Sequence, residues 1–249
     1  MLALLAALLV AGIAQGERVQ RGNLIVRLDG NFSPLALPRD RMAPVSVRIE
    51  AGLATSDQSV LPRVTRIELG IPGQGAIHSK GLPACSTRRL RDATTARALE
   101  ACGPALIGRG AMVAQVKIPN QDPFAVHAKL LAFNGRVGGR RAVIVHGVSK
   151  KPPTSVVLPF LIHLRPGKFG TVLVAHLPRT LGPWPRFARF KMDFARRYVY
   201  RGQRLSYINA SCPIPKRFTA GFFSFAKATF TLADGRHLST GIARSCRAR

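Results

Sequence analysis

The sequence predicts an all-β protein: an antiparallel β-sandwich of the jelly-roll type, with about a dozen strands and one short helix. Three observations support this fold class. Apolar and polar residues alternate along many short segments, which is the period of a half-buried strand. The 23 Gly and 18 Pro are spread between those segments, as many tight turns require. Only one segment has a helical pattern. A partly closed β-barrel is the alternative architecture.

The first strands are predicted to be amphipathic. Residues 24–29 place Leu and Val on one face, with Arg27 and Asp29 on the other. Residues 45–50 and 65–71 repeat this alternation. Each segment is therefore interpreted as a strand with one face toward the core and one toward water.

The middle strands are more apolar. Residues 142–145, 156–164 and 172–177 are nearly continuous hydrophobic runs of strand length. Such runs are typical of strands that are covered on both faces. Pro159 within the second run indicates a bulge or an edge position, because proline cannot donate to a strand ladder.

Turns and the helix are marked by local signals. Asn134-Gly135, Gly138-Gly139 and Asp234-Gly235 each lie between strand-like segments and predict hairpin turns. Residues 94–102 predict the helix, with Thr94 or Thr95 as its N-cap. After residue 185, the segments 189–194, 203–209 and 222–232 again have the pattern of strands.

The N-terminus predicts an export signal. The apolar run 2–14 is shorter than the roughly 20 residues that a membrane-spanning helix needs, and small residues follow it. We therefore expect a signal peptide at 1–16 and a single β-sandwich domain at 17–249, without a transmembrane segment. The usual basic leader is missing, so either the true start lies elsewhere or the signal is atypical. The expected location is secreted or associated with the cell envelope.

Four cysteines in an exported chain predict two disulfides, for which three pairings are possible. The pairs Cys85–Cys102 and Cys212–Cys246 are favoured, because each brackets one contiguous unit. Loop closure would make them worth about 3 and about 4 kcal/mol, respectively. None of the cysteines has the spacing of a zinc ligand.

The charge is strongly basic: 38 Lys and Arg against 11 Asp and Glu, a net charge of +27. Such a field attracts polyanions, so anionic wall polymers or acidic polysaccharides are the predicted partners, and specific nucleic-acid binding is not expected. Alternatively, the arginines only solvate the outward faces of strands. The candidate polyanion-binding residues are Arg186, Arg189, Lys191, Arg196, Arg197, Arg201 and Arg204, which are interleaved with aromatic residues.

Signals for catalysis are weak. The acids occur singly beside basic residues, and no GxSxG motif is present. His146, His163 and His176 each end or interrupt an apolar run, so they could share a face and bind a metal, or they could lie apart. No catalytic residue, metal ligand or cofactor is therefore predicted.

Several motifs carry a resemblance. The stretch YVYRGQRLSYINASCPIP from Tyr198, the later ADGR and the terminal SCRAR resemble the C-terminal half of a group of uncharacterised exported bacterial proteins. KGLPAC, LLAFNGR and VVLPF are also similar to segments of that group. The resemblance extends over most of the mature chain. It implies export and four cysteines in comparable places, but it supplies no activity and no site residues.

The functional expectation is an exported, non-catalytic β-sandwich that associates electrostatically with anionic cell-envelope or extracellular polymers. Two alternatives stay open: a secreted hydrolase acting on wall or polysaccharide substrates, and a carrier of small apolar ligands. Acids or histidines that converge in a cleft would favour the hydrolase. A large apolar cavity between the middle strands would favour the carrier. The sequence does not predict an oligomeric state.

Overall fold

The computed structural model describes residues 17–178 and 182–249, and it confirms the all-β, mainly antiparallel fold class. The predicted signal peptide, 1–16, lies outside the described residues. Within them are two helices, α1 (Thr87–Leu90) and α2 (Thr95–Cys102), and a 3-10 turn (Gly103–Ala105). The strands are β1 (Glu17–Arg21), β2 (Leu24–Ser33), β3 (Ala36–Leu37), β4 (Ala43–Pro44), β5 (Ser46–Thr55), β6 (Val64–Ile71), β7 (Gly75–Ile77), β8 (Leu106–Val116), β9 (Phe124–Val137), β10 (Arg140–Lys150), β11 (Pro153–Leu164), β12 (Thr171–His176), β13 (Pro185–Phe194), β14 (Arg197–Tyr200), β15 (Gln203–Ser206), β16 (Ile208–Ala210), β17 (Ala220–Leu232) and β18 (His237–Ala248).

Thirteen of these strands form one sheet, in the order β1-β2-β5-β13-β8-β9-β10-β11-β12-β6-β17-β18-β3. Neighbouring strands in this sheet are antiparallel, except for β18 and β3, which are parallel. A twisted sheet of this width curls, and here it forms a half-barrel. The architecture is thus closer to the partly closed barrel than to two separate sheets, and it has two short helices where one was predicted. Two small sheets, β14-β15 and β4-β16-β7, complete the fold.

The two sides of the curl meet through an arginine. Arg244 of β18 donates from Nη2 to Oδ1 of Asp29 at 2.6 Å and from Nε to the carbonyl oxygen of Gly30, both on β2. The guanidinium is buried, and a buried charge is tolerated only when it is paired and hydrogen-bonded. We call this set of bonds the Arg244 clasp. It joins strands that are not neighbours in the described sheet.

A helical segment covers the outside of the middle strands. Residues 82–105, here called the helical cap, pack Leu90 and Ala98 onto Phe133 and Ile144 of β9 and β10. The hydroxyl of Thr94 accepts a hydrogen bond from the amide of Arg97 at 3.3 Å, which confirms Thr94 as the N-cap of α2. The cap explains why the middle strands are apolar on both faces.

Both predicted disulfides are present. Cys85–Cys102 ties the helical cap into a closed loop, and the backbone of Cys85 pairs with β9 beside Gly135. Cys212–Cys246 joins the segment after β16 to β18. It belongs to a third hydrophobic cluster, where β4, β16 and β7 lie over one end of the curl. We call this the closed end. Two disulfides are typical of proteins that mature in an oxidising, extracellular environment.

The turn predictions had mixed outcomes. Gly138-Gly139 and Asp234-Gly235 connect β9 to β10 and β17 to β18, as expected. Asn134-Gly135 is not a turn, because it lies inside β9. A Cβ on Gly135 would lie 2.8 Å from the carbonyl oxygen of Cys85, so this glycine allows the helical cap to approach the sheet. Pro159 lies on β11, which is an interior strand of the sheet. It pairs with Ile144 on one side and has no strand partner on the other, because the ladder between β11 and β12 begins at Leu161.

Candidate functional site

The inner face of the curl surrounds an apolar cavity of about 380 Å³. Its walls come from the inward positions of β6 and β8 to β13. Several of these side chains point inward and are nevertheless only half-buried, whereas a close-packed interior would bury them completely. The surface that they retain faces the cavity. They are Leu69, Met112, Val145, Val156, Leu158 and Phe194.

A second apolar cavity, of about 110 Å³, lies on the side of the closed end. Ile49, Leu69 and Phe194 line both spaces, so the two adjoin. Tyr207 lines the second one and is 1% exposed. Its hydroxyl has no hydrogen-bond partner among the described residues, and burial raises the pKa of Tyr207. Together the two spaces extend from the middle of the curl toward its closed end.

At the opposite end the larger cavity is lined by Arg63, which precedes β6, and Arg186 of β13. Arg186 donates from Nη1 to the carbonyl oxygens of Pro183 and Pro185, which hold its guanidinium in place. We call this end the cationic mouth. Burial, and next the positive charge of Arg63, lower the pKa of Arg186, so the two charges are close enough to repel each other.

The cationic mouth has no internal counterion. All 11 acids of the chain fall within 17–178 and 182–249, and none of them pairs with Arg63 or Arg186 in the described structure. None lines the larger cavity either. Its wall is therefore apolar with a positive end, and it offers no carboxylate for acid or base chemistry.

Five of the acids are in ion pairs with arginines in the described structure. Asp29 pairs with Arg244, Glu50 with Arg189 at 3.7 Å, and Glu68 with Arg66 at 2.5 Å. The partners of Asp29 and Glu50 lie on other strands and are not the basic residues beside them in the sequence. Asp29 and Glu50 are opposite each other on β2 and β5 and line a pocket on the outer face, and each of them already pairs with an arginine.

The predicted polyanion-binding residues are divided among separate places. Arg186 lies at the cationic mouth, while Arg189 and Lys191 are exposed on the outer face of β13. Phe187 and Phe190 of the same strand point into the core, so the alternation of arginine with aromatic residues sorts them onto opposite faces.

The remaining four basic residues follow β13. Arg196 donates to the carbonyl oxygen of Pro104 at 3.2 Å and so fixes the chain against the helical cap. The other three are exposed on the hairpin formed by β14 and β15, which we call the basic hairpin. They are Arg197, Arg201 and Arg204. The guanidinium of Arg201 lies 5.4 Å from the ring centre of Tyr200, within the range of a cation–π interaction.

The three histidines of the middle strands do not form a metal site. His146 is buried under the helical cap, where its Nε2 lies 3.0 Å from the carbonyl oxygen of Ala93 and 3.2 Å from Oγ of Ser155. Burial lowers its pKa. His163 is bonded to an arginine, and His176 is exposed at the end of β12. The described residues contain no group of three His, Cys, Asp or Glu placed to hold a metal.

Comparison with protein-family models, with curated proteins and with solved structures finds no match. The described part of the chain contains no helix long and apolar enough to cross a membrane. The residue of the candidate site that the sequence analysis did not identify is Arg63. Its only local signal is a single basic residue before an amphipathic strand, and nothing in the sequence places it beside Arg186.

Proposed function

We propose that the protein is an exported carrier that holds a small apolar molecule inside the curled sheet. The observation that supports this most directly is the space of about 380 Å³ walled by inward-facing apolar side chains. Ligand pockets in proteins are usually about 300 to 1,000 Å³, and an apolar cavity of about 150 Å³ already binds benzene. A molecule larger than one aromatic ring therefore fits.

Three features support the rigidity that such a space needs. The helical cap braces the outer face of β9 and β10 and is itself closed by Cys85–Cys102. The Arg244 clasp joins the two sides of the curl, and Cys212–Cys246 fastens the closed end. A preformed site binds more tightly than one that must first be ordered, because less conformational entropy is lost on binding.

Export is part of the same proposal. Its support is the apolar segment at 1–16, the resemblance to exported bacterial proteins, and two disulfides, which persist outside the reducing cytosol. A carrier in that location would move apolar molecules through water, in which they are poorly soluble on their own.

A plug in the cavity tests the proposal. Ala114 points inward on β8 and is opposite Phe187 of β13. The next pair along these strands is Gln115 and Arg186, so Ala114 lies just below the cationic mouth. Val113 is its neighbour on the outer face. We expect Ala114→Trp to weaken binding of a neutral, environment-sensitive naphthylamine dye at least about tenfold, by occupying its space. Val113→Trp should bind like the wild type.

Fluorescence titration measures both variants, and mass spectrometry of material extracted from the native protein identifies what it carries. A wild-type protein that does not bind the dye, or a plugged variant that binds it as well as the wild type, would refute the carrier.

A second role, electrostatic association with anionic envelope polymers, is favoured by the basic hairpin. Its three arginines are exposed, and none is in an ion pair among the described residues. Multivalent phosphate contacts of this kind weaken steeply with salt. This association would keep the carrier at the cell surface and does not compete with the cavity.

Retention on polyphosphate beads across a salt gradient tests the second role. The triple variant Arg197→Gln, Arg201→Gln and Arg204→Gln should elute at lower salt than the wild type. The matched control removes the same charge from exposed positions of the helical cap: Arg88→Gln, Arg89→Gln and Arg91→Gln. If the control elutes as early as the hairpin variant, net charge is responsible and the basic hairpin is not a specific surface.

A further inference from the structure

Half-buried arginines elsewhere in this protein have partners. Arg66, on the same strand that Arg63 precedes, bonds Glu68, and Arg141 donates to the carbonyl oxygen of Ile77. The buried Arg244 has a carboxylate and a carbonyl. At each of these positions the guanidinium is partly removed from water and has a hydrogen-bond partner in the protein. Such a partner is needed because removing a charged group from water is unfavourable.

One arginine of the cationic mouth, Arg63, departs from this pattern, because its side chain donates no hydrogen bond to another described residue. Arg186 bonds two backbone carbonyls, which are neutral, so the mouth as a whole has no balancing negative charge. Two like charges lie beside each other without a carboxylate, at the rim of an apolar space. In the unliganded protein their repulsion is unfavourable, and an anion placed between them would remove it.

The geometry points to the class of molecule carried: an apolar body that ends in one anionic group, a carboxylate or a phosphate. This inference rests on the proposed carrier function. The anionic group binds Arg63 and Arg186, while the apolar part extends past Phe187 and Ala114 into the cavity. Guanidinium groups can bind either anionic group, because they donate paired hydrogen bonds to carboxylate and to phosphate oxygens.

The orientation of the ligand follows from the lining. Apart from Arg63 and Arg186, the residues along the larger cavity are predominantly apolar, and they continue toward the second space and the closed end. An inverted ligand would place its charge in the second space, whose lining contains no arginine or lysine. The head is therefore at the mouth and the apolar end toward Phe194.

Calorimetric titration of the purified, disulfide-bonded protein with four ligands that share one chain tests the inference: dodecanoate, dodecyl phosphate, dodecanol and dodecylammonium. We expect at least one of the two anions to bind about tenfold or more tightly than dodecanol, because charge-assisted hydrogen bonds form only with the anion. Dodecylammonium should bind most weakly. The tighter of the two anions identifies the head as a carboxylate or a phosphate.

The double variant Arg63→Gln and Arg186→Gln should lose this preference for anions while its affinity for dodecanol is retained. Arg88→Gln and Arg89→Gln, which remove equal charge from the helical cap, should preserve the preference. If dodecanol binds the wild type as tightly as both anions, or if the Arg63 and Arg186 variant loses all four ligands alike, the anionic head is refuted. If none of the four binds the wild type, or if Ala114→Trp leaves their binding unchanged, the carrier itself fails.

Discussion

The two faces of the middle strands differ in how they are filled. On the outer face, under the helical cap, Phe133 and Ile144 are both 0% exposed. On the inner face Val145, the residue directly after Ile144, is only half-buried because it faces the cavity. Both faces consist of aliphatic and aromatic side chains of ordinary size. Apolar composition therefore indicates that a face is removed from bulk water, but it does not distinguish a packed face from a hollow one.

The difference arises from what each face meets. The outer face has a dedicated cover whose small residues, such as Ala93 and Ala98, let the helices approach closely. The inner face meets the far side of a wide curl, and two of its positions are the short residues Ala114 and Gly147. Space remains where opposing side chains are too short to meet.

Truncation on the packed face should have the largest effect. We expect Phe133→Ala to lower the free energy of unfolding by about 3–5 kcal/mol, because it opens a cavity in a closed cluster. Leu158→Ala, on the hollow face, should cost only about 1–2 kcal/mol, since part of that side chain already borders empty space. Urea denaturation of both variants measures the difference. Equal losses would show that the two faces are equally well packed.

Opening the cap disulfide should have the next largest effect. Cys85→Ser with Cys102→Ser should lower the free energy of unfolding by about 3 kcal/mol through the entropy of the unfolded chain. Hydrogen exchange should then accelerate first in residues 86–105, ahead of β6 and β12. Faster exchange in those two strands would mean instead that the cap stabilises the whole curl as a unit.

A smaller effect should appear with pH. His146 lies under the cap, and its burial favours the neutral form, so its folded pKa is below the ordinary value of 6.5. The stability it contributes is complete above that value and is lost as the pH falls through the lower folded pKa, because the unfolded chain then binds the extra proton. The melting temperature of the His146→Gln variant should therefore fall less between pH 7 and pH 5 than that of the wild type. Identical pH profiles would contradict the burial of a neutral imidazole at this position.

Features governed by neighbouring residues were predictable from the sequence. Alternation identified the strands, Thr94 identified the start of α2, and the bracketing of contiguous units identified both disulfides. Asn134-Gly135 was misassigned because a dipeptide common in turns is also used where another segment approaches a strand closely.

Features governed by distant pairing were not predictable. The curl depends on β13 pairing with both β5 and β8, and no local pattern specifies this. The same pairing divides the basic run after residue 185 among a mouth, an outer face and a hairpin. It also brings Arg63 and Arg186 to one rim although they are far apart in the chain. The candidate site is therefore a product of topology, whereas its apolar walls were visible as composition.

The Arg244 clasp has a mechanical consequence. In the described structure β2 and β18 meet through side chains instead of a backbone ladder, so the curled sheet has a seam. A closed barrel can widen only if backbone hydrogen bonds between neighbouring strands break. A half-barrel with a seam can widen while all of its strand pairings are kept. The half-barrel can therefore widen along one line only, and the Arg244 clasp resists this, because parting Arg244 from Asp29 would leave a buried guanidinium without its carboxylate.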